Sequence, residues 1–174
     1  EHKRLVGSTR GLSEAQEIRF VGCAIVCAGI VLGCTMTRNP DLSGTNSYMS
    51  NILGYIYFLV WSLSFYPQVI LNWVRKTTIG FSSEFVHLNL AGYILYSLYN
   101  LLFFFDKGLQ QQYRDANNGD NNLVEVHDVL FALHGFLLTL VQLCQCYHYD
   151  GRKQLPSSIT GAVCFGLFAT PAVW

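Results

Sequence analysis

Long uncharged stretches alternate with short charged ones along this chain, and their lengths are those of membrane-crossing helices rather than of soluble core elements. A bilayer core about 30 Å thick takes roughly 20 helical residues to cross, because unpaired backbone groups cannot face lipid and a helix satisfies its own. Phe20 to Thr37 is uncharged but short, and follows Lys3, Arg4, Arg10 and Arg19. It reads either as a signal-anchor helix or as a signal-peptide core, with Gly33 and Cys34 as the small residues ahead of a cleavage site. Leu42 to Val74 is uncharged throughout, with Asn46, Ser47, Ser50 and Asn51 as a polar lead-in, so its helix is expected from near Ser50. It ends at Arg75 and Lys76, and Thr77, Thr78 and Gly80 supply a short turn into a second run, Phe85 to Phe105. Asp106 to Asp128 is polar and Asn-rich, and reads as an exposed loop. A third run covers Val129 to Tyr149, and Gln154 to Trp174 begins a fourth.

Positive charge in short loops marks the cytoplasmic side. Arg75 with Lys76, and Arg152 with Lys153, therefore place two loops in the cytosol and the Asn-rich loop opposite, on the lumenal or extracellular face. The basic flank before Phe20 agrees with that topology. The first residue is Glu1 rather than Met and the last apolar run stops at Trp174, so the chain is expected to be incomplete at both ends.

Composition narrows the class. The chain is 51% hydrophobic and only 13% charged, an imbalance that a soluble domain of 174 residues has trouble covering with polar surface. A formal net charge of zero leaves no basic field for nucleic acid. The six cysteines, Cys23, Cys27, Cys34, Cys144, Cys146 and Cys164, lie in or beside apolar runs without paired ligand spacing, and read as small lipid-compatible side chains. No catalytic Ser/His/Asp set, metal cluster or Gly-rich phosphate loop is present, so neither an enzyme, a metal nor a cofactor is expected.

The sharpest chemical feature is Ser64-Phe65-Tyr66-Pro67-Gln68 in the middle of the first full span. Pro67 cannot donate to the carbonyl of Leu63 and its ring crowds that turn, so a kink is expected there. Trp61, Phe65, Gln68 and Asn72 fall on one helical face, and aromatic rings beside two amides suit a zwitterionic organic solute better than a bare ion. The competing reading is an ordinary kink with Gln68 and Asn72 bonding neighbouring helices. In the next span Asn89 and Asn100 share a face, with Gly92 and Ser97 available for close packing; one amide is a candidate substrate contact and the other helix glue. Glu84 and His87 read as water-exposed residues near the cytosolic end. Asp128 opens the third span from the lumenal side, where a carboxylate costs several kcal/mol unless paired, hydrated or protonated. It is a proton-carrying candidate, and helix-start stabilisation is the alternative. His134, deeper on that helix, reads as an interhelical hydrogen bond.

Gly54-Tyr55-Ile56-Tyr57-Phe58, Trp61 through Ile70, Asn72-Trp73, Ile79-Gly80-Phe81-Ser82, Leu88-Asn89-Leu90, Tyr96-Ser97, and Asp128-Val129-Leu130-Phe131 with Leu133-His134 together resemble the first PQ-loop repeat of the cystinosin family, over roughly residues 50–147. The resemblance implies a multi-pass protein of the lysosomal or vacuolar membrane, with two three-helix bundles joined by a linker helix, exporting L-cystine with a proton. Carried across by position, Trp61, Phe65, Gln68 and Asn89 line the cystine site and Asp128 takes part in proton coupling, with Arg75 and Lys76 cytosolic. The family pattern also includes a second repeat with further aspartates and a C-terminal sorting signal, which this sequence does not contain. Its N-terminal apolar run stands where the family has a long glycosylated lumenal domain.

The expected fold is thus an all-α membrane protein: an N-terminal basic segment with an apolar helix over 1–47, a PQ-loop triple-helix bundle over 48–149, and a cytosolic loop with the start of a linker helix over 150–174. The expected partners are L-cystine, protons and the lipid bilayer. One half cannot enclose a site alone, so activity of the chain as written calls for a homo-oligomer or a second half. The alternatives are a PQ-loop carrier for a sugar or a basic amino acid, and a membrane receptor or adaptor that moves no solute.

Overall fold

The computed structural model describes residues 2–36, 45–151 and 156–169, without the side chains of 2–15 and 169. The described residues form six helices and no strand: α1 (His2–Thr35), α2 (Thr45–Arg75), α3 (Ser83–Phe105), α4 (Lys107–Ala116), α5 (Val126–Asp150) and α6 (Ser158–Ala169). Four segments are long and apolar enough to cross a membrane: Gln16–Thr35, Thr45–Arg75, Ser83–Phe105 and Val126–Asp150. These are the runs expected from the uncharged stretches. α2 begins earlier than expected, at Thr45, and passes through Pro67 as one helix.

The chain divides into two compact units, Glu1–Val60 and Trp61–Trp174. In the first, the backbone of α1 comes close to α2 at two glycines. A Cβ at Gly29 would stand 2.3 Å from Ile56, and one at Gly33 would stand 2.5 Å from the Ile52 backbone. Asn51, almost fully buried, donates through Nδ2 to the Gly33 carbonyl at 2.8 Å. Small residues with an amide at a helix crossing are how helices associate when lipid removes the hydrophobic drive.

The second unit is built on α3 and α5. Gly135 of α5 faces the ring of Tyr93, so that a Cβ there would lie 2.3 Å from Cε1. Phe131 packs edge-on between Tyr93 and Tyr96, at 6.2 and 6.3 Å between ring centroids. Polar side chains outnumber apolar ones among the buried positions, including Asn72, Asn100, Thr139, Gln142 and Gln145, while Ile70, Trp73, Val74, Leu98 and Leu137 point outward. That polarity is the reverse of a soluble core and suits a lipid surround.

The polar stretch read as an exposed loop contains α4. Its signal is local rather than hydropathic. Asp106 ends α3 and caps α4, its Oδ1 accepting from the N–H groups of Gly108 and Leu109 at 2.8 and 3.1 Å. Tyr113 of α4 meets Phe103, and Gln110 donates to the carbonyls of Phe103 and Phe104, which the end of α3 leaves unpaired. A search for uncharged runs cannot find so short a polar helix.

Candidate functional site

α2 carries most of the candidate substrate face, and its lower part is tied to α5 by a chain of amides. Gln68 donates through Nε2 to Asn72 Oδ1 at 2.8 Å, and Asn72 donates through Nδ2 to Gln145 Oε1 at 3.1 Å. Gln145 in turn donates to the Val69 carbonyl at 3.0 Å. Asn72 is therefore helix glue, and the half-buried Gln68 stands at the free end of that chain with its carbonyl oxygen still available. One turn above, Phe65 meets Tyr93 of α3 edge-on at 5.8 Å, and Trp61 is 51% exposed. Asn89 lies one turn from Tyr93 on α3, half-buried, and its side chain makes no hydrogen bond among the described residues. The Tyr66 hydroxyl and His134 Nε2 are 3.0 Å apart, the interhelical bond expected of His134.

Asp128 belongs to a different place. It lines a cavity of about 280 Å³ walled by Tyr96, Tyr99, Asn100, Tyr113, Asn122, Leu123 and Val124, and none of Trp61, Phe65, Gln68 and Asn89 borders it. Asn100 is buried there, donating to the Tyr96 carbonyl at 2.8 Å. Asp128 lies within the first turn of α5 and accepts from the Glu125 N–H through Oδ2 at 2.9 Å. Its other oxygen is 3.6 Å from His127 Nε2. Burial pushes the Glu125 carboxyl above the ordinary carboxylate range; His127 opposes that shift and Asp128 adds to it.

At the opposite end, Asp150 gathers three donors from the α2–α3 connection: the hydroxyls of Thr77 and Thr78 and the Thr78 N–H. Lys76, with φ 55, and Gly80, with φ 93, make the reversal that brings those threonines to Asp150. Glu84 and His87, read as merely wet, are both engaged. Glu84 accepts from the Ser157 N–H at 2.7 Å and from the Thr160 hydroxyl, capping the start of α6. His87 lies 2.8 Å from the Tyr147 hydroxyl and 2.8 Å from the Ser83 carbonyl.

Sequence reasoning missed Gln145, Asp150, Glu125 and His127. Gln142 and Gln145 carried a signal, as amides inside an apolar span, whereas Glu125 and His127 were hidden by their position at the edge of a polar stretch.

The PQ loop repeat family matches residues 49–109. The chain is 45% identical to a cystinosin homolog of Dictyostelium discoideum, over 65% of this chain and 39% of that protein. It is 43% identical to cystinosin of Bos taurus, over 62% of this chain and 29% of that one. A cystine transporter of Saccharomyces cerevisiae is 33% identical over 56% of this chain and 36% of its own length. The chain thus spans less than half the length of each of these relatives. A PQ loop repeat over residues 49–109, with four described helices long and apolar enough to cross a membrane, places the chain among helical PQ-loop repeat membrane proteins. Within that class, the chain is similar to cystinosins of several organisms.

Proposed function

We propose that this chain supplies one half of a cystine transporter of the lysosomal or vacuolar membrane, exporting cystine to the cytosol together with a proton. The bundle over residues 48–149 forms one wall of the site, preceded by the helix-bearing segment 1–47 and followed by the start of a linker over 150–174. Trp61, Phe65, Gln68 and Asn89 contact the solute: rings for the apolar disulfide, amides for its zwitterionic ends. The half-buried, unbonded amide of Asn89 and the spare carbonyl of Gln68 support that reading. A transporter of this kind holds solute between two halves and rocks one against the other, so a second bundle, from a further repeat or another copy, completes the site.

The observation that carries proton coupling is Asp128, a carboxylate that opens an apolar span and borders a cavity. A charge at that depth costs about 2.5–3.5 kcal/mol at mid-membrane and less toward its edge, and a proton removes the cost. In an acidic lumen Asp128 takes up the proton as cystine loads, and in the neutral cytosol both leave.

Uptake of labelled cystine by cells displaying the full-length protein at their surface tests this at external pH of about 5.5 and about 7.4. Acid-stimulated uptake, competed by cystine and not by glucose or lysine, is expected. Replacing Asp128 with Asn abolishes the acid stimulation at unchanged surface abundance; retained stimulation removes Asp128 from the mechanism. Binding of cystine without uptake at either pH points to a receptor.

A further inference from the structure

Three titratable side chains converge where α5 begins. His127 is 9% exposed, with Nδ1 3.4 Å from Glu125 Oε2 and Nε2 3.6 Å from Asp128 Oδ1. The imidazole therefore has a carboxylate at each ring nitrogen. Glu125 Oε2 is buried and accepts no hydrogen bond. Asp128 Oδ2 already serves the helix start by accepting the Glu125 N–H, leaving Oδ1 as the oxygen beside His127.

We infer that His127 sets the acid range over which Asp128 exchanges its proton, by holding positive charge between Asp128 and Glu125 at the edge of the cavity. This rests on the coupling role given to Asp128 above. The electrostatics follow from the geometry. Two ionised carboxylates flanking a neutral ring repel one another, and each becomes easier to protonate. An imidazolium in their midst offsets both negative charges. Histidine is the side chain whose charge changes roughly between pH 5 and 8, the interval that separates an acidic lumen from the cytosol. The charges acting on Glu125 are His127 and Asp128. From the neighbouring elements, Tyr96 and Tyr99 of α3 and Tyr113 of α4 line the Asp128 cavity with the amides of Asn100 and Asn122. Arg114 of α4 is engaged by Asn121 and Gln111.

Two substitutions test the inference, one removing the charge and one fixing it. His127→Gln keeps a polar side chain but removes the positive charge, so the pH of half-maximal acid stimulation rises by about one unit. His127→Lys keeps the positive charge at every pH of the assay, so the same midpoint stays at or below that of wild type. The readout is cystine uptake by the full-length protein across about pH 4.5 to 8, normalised to surface abundance. A purely structural role for His127 lowers the maximal rate and leaves the midpoint in place. A His127→Gln midpoint equal to that of wild type, or one raised equally in His127→Lys, therefore overturns the inference. Purified protein in liposomes replaces cells for a variant that does not reach the surface. Failure of the underlying reading looks different. A wild-type protein without acid stimulation, or an Asp128→Asn variant that retains it, removes Asp128 and this inference together; unmoved midpoints beside a silent Asp128→Asn variant remove His127 alone.

Discussion

Gln145 touches α2 twice, through Asn72 and through the Val69 carbonyl, and it does so from inside an apolar helix. Replacing it with Leu preserves bulk but leaves Asn72 Nδ2 without that acceptor in a buried setting. The expected loss is about 1 kcal/mol, within the range measured for interhelical hydrogen bonds in membranes. Unfolding of the purified protein in detergent reads it directly, and an unchanged stability would mean that the amide chain does not hold α2 to α5. This is also where the reach of the sequence is clearest. Helical spacing alone puts Phe65, Gln68 and Asn72 on one face. It does not say that Asn72 spends its amide on a neighbouring helix while Gln68 keeps an oxygen free. An isolated amide in an apolar run announces that it has a partner, but the partner is chosen by a crossing that only three dimensions fix.

Among the elements, the four long apolar helices were legible because membrane thickness dictates their length, but their starts were not: α2 begins five residues and α1 eighteen residues before the expected positions, where polar residues continue the helix. α4 was not legible, because its stability comes from the Asp106 cap and from Gln110 and Tyr113 packing on the end of α3. The α3–α5 crossing supplies a sharp comparison. Gly135→Val places new carbon against the Tyr93 ring, where the first atom already stands at 2.3 Å, and should cost about 1–3 kcal/mol. Gly92, on the same pair of helices, has nothing within 4 Å of a new Cβ, so Gly92→Ala should be tolerated without loss. Thermal unfolding of the two variants side by side decides whether the close approach at Gly135 governs this crossing; equal behaviour would argue against it.

For the molecule as a whole, acidity acts on stability. The Glu125 carboxyl is raised above its ordinary 4.5 by burial, so the folded protein binds that proton more tightly than the unfolded chain does. Its contribution therefore favours the folded state at acid pH and is lost as pH climbs from about 4.5 through the raised value. Melting temperature should fall between acid and neutral pH, and Glu125→Gln should flatten that fall; an identical slope in the variant would assign the effect to other groups. The Asp150 clamp has a mechanical consequence. With the α2–α3 connection pinned to the end of α5, that end acts as a fulcrum, and α5 becomes an arm of about 37 Å at 1.5 Å per residue. A tilt of about ten degrees that leaves the clamp closed sweeps the far tip through roughly 6 Å. Asp128 rides near that tip, so the least movement falls on the threonines and the greatest on the carboxylate.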